Sequence, residues 1–594
     1  MKRKIFLLNY LFSPKSIIFN LFLIGILFQV YLMTQAKLLY DVLKILFIAA
    51  IILLILSLIK ISVKKKVIIL VILFIVILRL PFYLYHTGLI TTSDNALEAL
   101  QCLEIQDSKT TPFFLLEAIK HHGTIKYLLV AFLWDFFGAN YLSFVLLQLA
   151  IFMAILFLIH EIFKQTIDKS TLLLFIFMNF AFIEVAFDYS LSYRGGTYLE
   201  MLLFFLLGVY LFDLKFINKM NILLSYYFIF LSIYLHPIGV PFAICFIFCI
   251  FLFSLKSHRI IHNLILLAGG FLIGGFHLLY YIFFKSKPFP RGEWGKLEFI
   301  SLSDISPGLL VNLLKNFKEI FWNVFNFETS YLIDFFDETK IKPILSYLNE
   351  ALIYFSLIIL IIGLILVIKK TVRIIQKKEE LIIKEWPYIF FLALFFSFVF
   401  KVFIFRPVRI EPRHNIDLAF LVILSYLFVF SSFLKGKKSI SFKTIMAFFL
   451  LLLFTFPHYF YTLKMTQHKK NSYHEILSVL RENRVRYLTT DFIMAYTIYF
   501  LSKRRILASD SLGPLTIRVF YPDLRRKVDK IPRNRKAFLF YSEDYPAREW
   551  HKHFTKIKKI NILHYLKKEK INYKTYKFKD FILIIPLRGE TGLK

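Results

Sequence analysis

The 594-residue chain is poor in the residues that mark most familiar classes of fold. Three cysteines are too few for a disulfide framework. Cys245 and Cys249 share one face of an apolar run and read as core residues, and Cys102 has no evident partner. Glycine and proline number 20 and 18, and no Gly-rich loop of the kind that cradles phosphates occurs. Acidic residues number 39 against 73 Lys and Arg, a formal net charge of +34. The basic residues sit in short clusters between apolar runs and, more diffusely, after residue 464, with no recognition motif beside them, so nucleic acid is not a partner. Internal repeats and low-complexity segments are absent.

Apolar runs are what the chain has in abundance: 58% of its residues are hydrophobic and 19% aromatic. Runs of Leu, Ile and Phe recur near 16–34, 38–60, 67–85, 140–163, 171–187, 197–215, 221–235, 238–256, 260–284, 351–368, 387–405, 416–434 and 444–463. These are thirteen expected spans. The first has no small-residue cleavage site and reads as a retained helix rather than a signal peptide. With the N-terminus inside, the inner connections are VKKK, KQTIDK, DLKFINK, SLKSHR, KKTVRIIQKKEELIIK and KGKKSISFK, all rich in Lys and Arg. An odd number of spans then places everything after residue 464 outside.

Three segments face outward in this scheme: 86–139 with amphipathic stretches suited to the interface, 285–350, and the short RPVRIEPRHN. Beyond residue 470 the pattern changes. HEILSVLREN and MAYTIYFLSK read as helices and VRYLTTD, RRILASD and KAFLFYSED as strands. Two basic helical stretches and a closing pair, NYKTYKF and FILIIPL, complete a small α/β domain. The expected fold is thus a polytopic α-helical membrane protein with a C-terminal α/β domain. Its parts are two additional helices (1–66), a transmembrane body (67–463) and an outer domain (464–594).

Ionisable residues in the outward loops are the candidates for chemistry. Asp94, just above the membrane surface, suits a general base or a helix N-cap, and the residue pattern alone leaves both open. Glu104 and Asp107 are reserve carboxylates in the same loop, and Asp334 and Asp337 are weaker ones. Arg194, Lys285, Lys287, Arg291, Arg406, Arg409 and Arg413 are outward cations, able to meet a phosphate or simply lipid headgroups. His121 and His122 point to different sides of a helix, which argues against a shared metal. His122, His414, Tyr198 and Trp294 could contact a substrate or serve structurally at the interface.

Four stretches, in order and topology, resemble the GT-C glycosyltransferases, which include bacterial aminoarabinose and protein O-mannosyl transferases. TTSDNALEAL is similar to their Asp-Glu-Ala stretch, and HHGTIKYLLVAFLWDFFG to the Gly-Ser/Thr-rich continuation. SYRGGTYLEMLLF resembles an Arg-Gly-Tyr loop opening a later span, and EPRHNIDLAFL a Pro-Arg-Tyr-Leu-like stretch. The resemblance covers residues 67–594. It implies an inverting transfer of a sugar from a polyprenyl-phosphate donor to an envelope glycan, lipid or protein on the periplasmic face of the inner membrane. Asp94 would be the base, and Arg413 and Arg194, with Lys285, Lys287 and Arg291, would hold the phosphate. Glu104, Asp107, His122, Tyr198 and His414 would contact substrate. Asn95 stands where the family's second acid is expected and the loop has no Asp-x-Asp, so no metal ligands are carried over. No cofactor is assigned, and a divalent metal is allowed but not favoured. A secondary transporter or lipid flippase is the competing class, and a scaffold or sensor a third.

Overall fold

The computed structural model describes residues 14–62, 66–89, 93–113, 123–164, 197–213, 219–236, 238–256, 260–284, 298–299, 341–376, 386–406, 416–434, 442–512, 521–542 and 549–587, with a few isolated positions between them. Helices α1 (Pro14–Thr34), α2 (Lys37–Ser62) and α3 (Lys66–Leu84) follow the first three apolar runs. A 3-10 turn (His86–Leu89) leads to α4 (Ser93–Ser108) and α5 (Ile125–Phe137), the helices expected in the first outer loop. Then come α6 (Tyr141–Phe163), α7 (Tyr198–Asp213), α8 (Lys219–Leu235), α9 (Gly239–Lys256) and α10 (Ile260–Phe284). The last apolar helices are α11 (Ile341–Gln376), α12 (Trp386–Ile404), α13 (Ile416–Leu434) and α14 (Phe442–Glu482). Twelve expected spans are therefore helical, and the remaining one, 171–187, falls outside the described residues apart from one position. Within α6, α10 and α11 the apolar stretches Tyr141–Phe163, Ile260–Tyr281 and Ile353–Ile374 are each long enough to cross a membrane. The protein is a polytopic α-helical membrane protein.

With lipid as apolar as the helices themselves, close approach at small residues drives packing between spans. Gly270 and Gly274, one turn apart on α10, meet the backbone of Tyr227 on α8, and a Cβ at Gly274 would lie 2.7 Å from the Tyr227 carbonyl oxygen. Polar contacts also join helices distant in sequence: Gln29 Nε2 on α1 lies 3.0 Å from His277 Nδ1 and donates to the Gly274 carbonyl of α10.

The C-terminal strands are β3 (Tyr487–Thr489), β4 (Leu507–Ser509), β5 (Ala537–Tyr541), β6 (Tyr573–Lys577) and β7 (Phe581–Pro586); a short pair, β1 (Glu298–Phe299) and β2 (Phe405–Arg406), lies earlier in the chain. The five strands form one sheet in the order β4-β3-β5-β7-β6, with β7 alone antiparallel to the rest. Helix α15 (Phe492–Leu501) and the outer half of α14 cover one face, and α17 (Glu549–Lys568) covers the other.

Two details depart from the sequence reading. HEILSVLREN is not a separate helix: α14 runs unbroken for 41 residues, from its apolar half to the sheet. The polar stretch KMTQHKKNSY looks like a loop, yet it is helical where Gly88 packs on Thr466 and Lys470 Nζ donates to the Leu84 carbonyl, 2.7 Å away. The basic region after β5 is one helix rather than two, and α16 (Pro522–Asp529) precedes that strand. Pro522 at its first position was the available start signal.

Candidate active site

Asp94 is the second residue of α4, inside its first turn rather than before the helix. A carboxylate there is favoured by the helix dipole. One turn on, Glu98 is buried and pairs with Lys126 of α5, with 3.1 Å between Nζ and Oε2. Glu200 in the first turn of α7 lies 3.9 Å from the same ammonium. The three side chains are 1%, 1% and 2% exposed. Burial alone would lower the lysine's pKa, but the charges of Glu200 and Glu98 outweigh it and hold the group charged, above its ordinary value. The Lys126 ammonium also lies 4.8 Å from the centre of the Phe144 ring.

The elements meet here because the chain between α4 and α5 is tied to the end of α8. Gly123 N donates to the Leu235 carbonyl at 3.1 Å, and Thr124 Oγ1 donates to Pro112 O at 2.9 Å. Tyr234 OH donates to Phe113 O at 2.8 Å. Thr197, just before α7, donates to the same Leu235 carbonyl. A Cβ on Gly123 would stand 2.8 Å from the Tyr234 ring, so this crossing needs glycine.

The arrangement gathers two carboxyl groups and one ammonium in a buried cluster, and burial raises the Glu200 carboxyl above its ordinary pKa. Neither Glu200 oxygen has a side-chain hydrogen-bond donor among the described residues. A buried carboxylate in that condition gains from a proton or from a donor on a bound molecule. Asn95 and Cys102, both fully buried, line α4 beside Glu98, and burial pushes the Cys102 thiol well up, so it stays protonated. The Tyr127 hydroxyl is likewise held neutral, first by burial and then by Glu98.

Other candidates sit elsewhere. Glu104 and Asp107 lie farther along α4: Asp107 pairs with Arg504 of the C-terminal domain at 2.7 Å, and Glu104 accepts from Gln101 Nε2 at 3.2 Å with Tyr521 of that domain nearby. Burial raises the Glu104 pKa against those contacts. Tyr198 is buried with its ring 4.2 Å from that of His236. Arg194, Lys285, Lys287, Arg291, Arg413, His122 and His414 lie outside the described residues, and of Asp94 only the backbone is described. Among the described residues no three His, Cys, Asp or Glu side chains converge as metal ligands.

Sequence reasoning missed Glu98, Lys126 and Glu200. The signal was present: each is a lone charge within an apolar-periodic segment, ALEAL, IKYLLVAF and YLEMLLF.

No protein-family model matches the sequence, nor does any curated protein. Two solved structures are similar over most of the chain. One is ArnT from Cupriavidus metallidurans bound to undecaprenyl phosphate, at 10% identity and a TM-score of 0.46, covering 86% of this chain and 97% of that one. The other is the same protein in the apo state, at 10% identity and a TM-score of 0.39, covering 88% and 98%.

Proposed function

We propose that this chain is an integral-membrane glycosyltransferase of the GT-C kind. It takes a sugar from a polyprenyl-phosphate donor and passes it to an envelope acceptor at the outer face of the cytoplasmic membrane. The observation that carries the reading is the meeting of Glu98, one turn beyond Asp94, with Lys126 and Glu200 in one buried cluster near the starts of α4, α5 and α7. These are three of the four segments that resemble the family.

In this reading Asp94 takes the proton of the acceptor hydroxyl as that oxygen attacks the anomeric carbon. The bond to the phosphate oxygen breaks on the opposite face, so the configuration inverts. Charge grows on the departing phosphate, and the outward arginines Arg194 and Arg413 stabilise it through paired N–H donors. Glu200, buried and short of donors, accepts from a sugar hydroxyl and so orients the ring. Lys126 pairs with Glu98 and faces Glu200, whose carboxyl burial raises above its ordinary pKa against the pull of that ammonium. The Lys/Arg-rich connections between spans support an inside N-terminus and an outside C-terminal domain.

The test is single-turnover release of polyprenyl phosphate from a panel of lipid-linked sugars, with protein in nanodiscs and envelope lipid extract as acceptor. Wild type should release the carrier from one donor, and Asp94→Asn should lower the rate by at least a hundredfold with the fold intact. An Asp94→Asn protein as fast as wild type removes the base. Folded wild type that releases nothing from any donor moves the protein to the transporter class.

A further inference from the structure

The C-terminal region carries its charge unevenly. Residues 464–594 hold 30 Lys and Arg against 12 Asp and Glu. Positive charge on the inner side of a membrane needs no further reason, but the proposed topology puts this domain outside.

The sheet gathers the charge at one end. Strands β3, β4, β5 and β6 all run in the same direction, so their first residues share one rim. Each is preceded by a basic run: RENRVR (481–486), KRR (503–505), RNRK (533–536) and KKEK (567–570). Eighty residues of sequence separate the first run from the last, yet strand spacings of about 4.8 Å bring them onto a rim about 20 Å wide. Ten of their Lys and Arg side chains are exposed. The opposite end of the sheet carries Asp491, Asp510 and Asp580, all largely buried. The polarity of the domain is therefore built along the strands.

Two ordinary explanations account for part of this. Helices α14, α15 and α17 end at the rim, and cations suit helix C-termini. Arg486, Arg505 and the 533–536 run lie beyond those ends. Arg504 is already paired with Asp107 of α4. Four rim residues, Arg484, Lys503, Arg504 and Lys570, also adopt positive φ, between 51° and 61°. Glycine takes that conformation freely at a helix end, so the chain accepts strain to place charge there.

The rim is the end of the sheet farther from the apolar half of α14. Helix α14 leaves its apolar half before residue 464, and at 1.5 Å per residue the stretch from His468 to Glu482 carries the chain about 21 Å farther. His468 pairs with Asp580 at the acidic end of the sheet, 2.7 Å apart, so the basic rim is the remote end. At its Arg504 corner the rim touches α4, the helix that begins at the Asp94 turn.

We infer that this rim is a docking surface for an anionic glycan chain, one bearing phosphate, sulfate or carboxylate groups along its length. Close like charges repel, and an extended polyanion relieves that repulsion and releases its own counterions. The rim runs offer few aromatic faces for stacking bases, which favours a glycan over a nucleic acid. This rests on the glycosyltransferase reading only in taking the docked chain to be the acceptor or its neighbour; the binding itself needs no turnover.

The full chain in zwitterionic nanodiscs should bind dextran sulfate and not neutral dextran of equal length, with affinity falling steeply as salt rises. R533E/R535E and, separately, K567E/K568E should each weaken binding at least tenfold. K577E/K579E makes the same charge change with exposed lysines at the opposite end of the sheet and should weaken it less than threefold. Equal loss in all three would show that net charge alone binds, and no binding by wild type would also overturn the proposal. Flotation of wild type with phosphatidylglycerol vesicles, lost in the rim variants while dextran sulfate is ignored, would assign the rim to lipid instead. Donor release measured on the same samples separates a failure of the rim from a failure of the enzyme reading.

Discussion

Lys126 carries the heaviest electrostatic demand of the described residues around Asp94. It faces two carboxylates at 3.1 and 3.9 Å with almost no water. Removing the ammonium strands them. Lys126→Met should cost about 3–5 kcal/mol of stability. A second change, Glu200→Gln, should recover part of the loss by removing one stranded charge. Thermal unfolding in nanodiscs of the two single variants and the double variant gives the coupling. A double variant no more stable than Lys126→Met alone would mean that Glu200 is not part of the cluster.

At the scale of elements, the turn before the site depends on one glycine. A Cβ at Gly88 would fall 1.8 Å from the carbonyl oxygen of Thr466, so α14 crosses the 3-10 turn with no room for a side chain. Gly88→Ala must push the two apart, at a cost of about 1–3 kcal/mol or more. Because α4 starts a few residues later, donor release should fall with it. Loss of stability with unaltered release would show that this crossing does not position Asp94. The two N-terminal helices, additional to the resemblance, are equally committed. Gln35 brackets Thr111, with Thr111 N donating to its Oε1 at 2.8 Å and its Nε2 donating to Thr111 O at 2.6 Å. Tyr31 OH donates to Lys109 O at 3.0 Å. Lys44 and Lys109 both pair with Asp135, and although burial opposes it their charges hold that carboxyl below its ordinary pKa. The hairpin α1–α2 thus fastens the segment leaving α4.

In the molecule as a whole, the C-terminal domain is docked onto the membrane body rather than tethered to it. Phe500 of α15 stacks on Trp134 of α5 with ring centres 6.1 Å apart and meets Tyr141 edge-on. Tyr496 and Phe500 belong to the same buried cluster as the spans. Phe500→Ala removes an aromatic anchor worth about 3 kcal/mol where fully buried. Hydrogen exchange should then speed up in α4 and α15 while the central strands β3 and β5 stay protected. Unchanged exchange in α4 would show that the Asp107–Arg504 ion pair and the remaining contacts hold the domain without Phe500.

The sequence determined where the twelve described spans lie, because membrane length and hydrocarbon composition impose local constraints readable run by run, but not how far α11 and α14 continue beyond them. It determined most of the α/β order for the same reason, since strand and helix periods are local patterns. It also offered Asp94 as a candidate base, through the motif around it. Tertiary structure alone decided the rest. Glu98, Lys126 and Glu200 stand on three helices and come together only where α4, α5 and α7 meet. The helical course through KMTQHKKNSY depends on contacts with Gly88 and Leu84 some 380 residues earlier. The basic runs look like scattered loop charge until parallel strand directions collect them on one rim. Burial and ion pairing are properties of distances between segments, and one-dimensional spacing does not encode those distances.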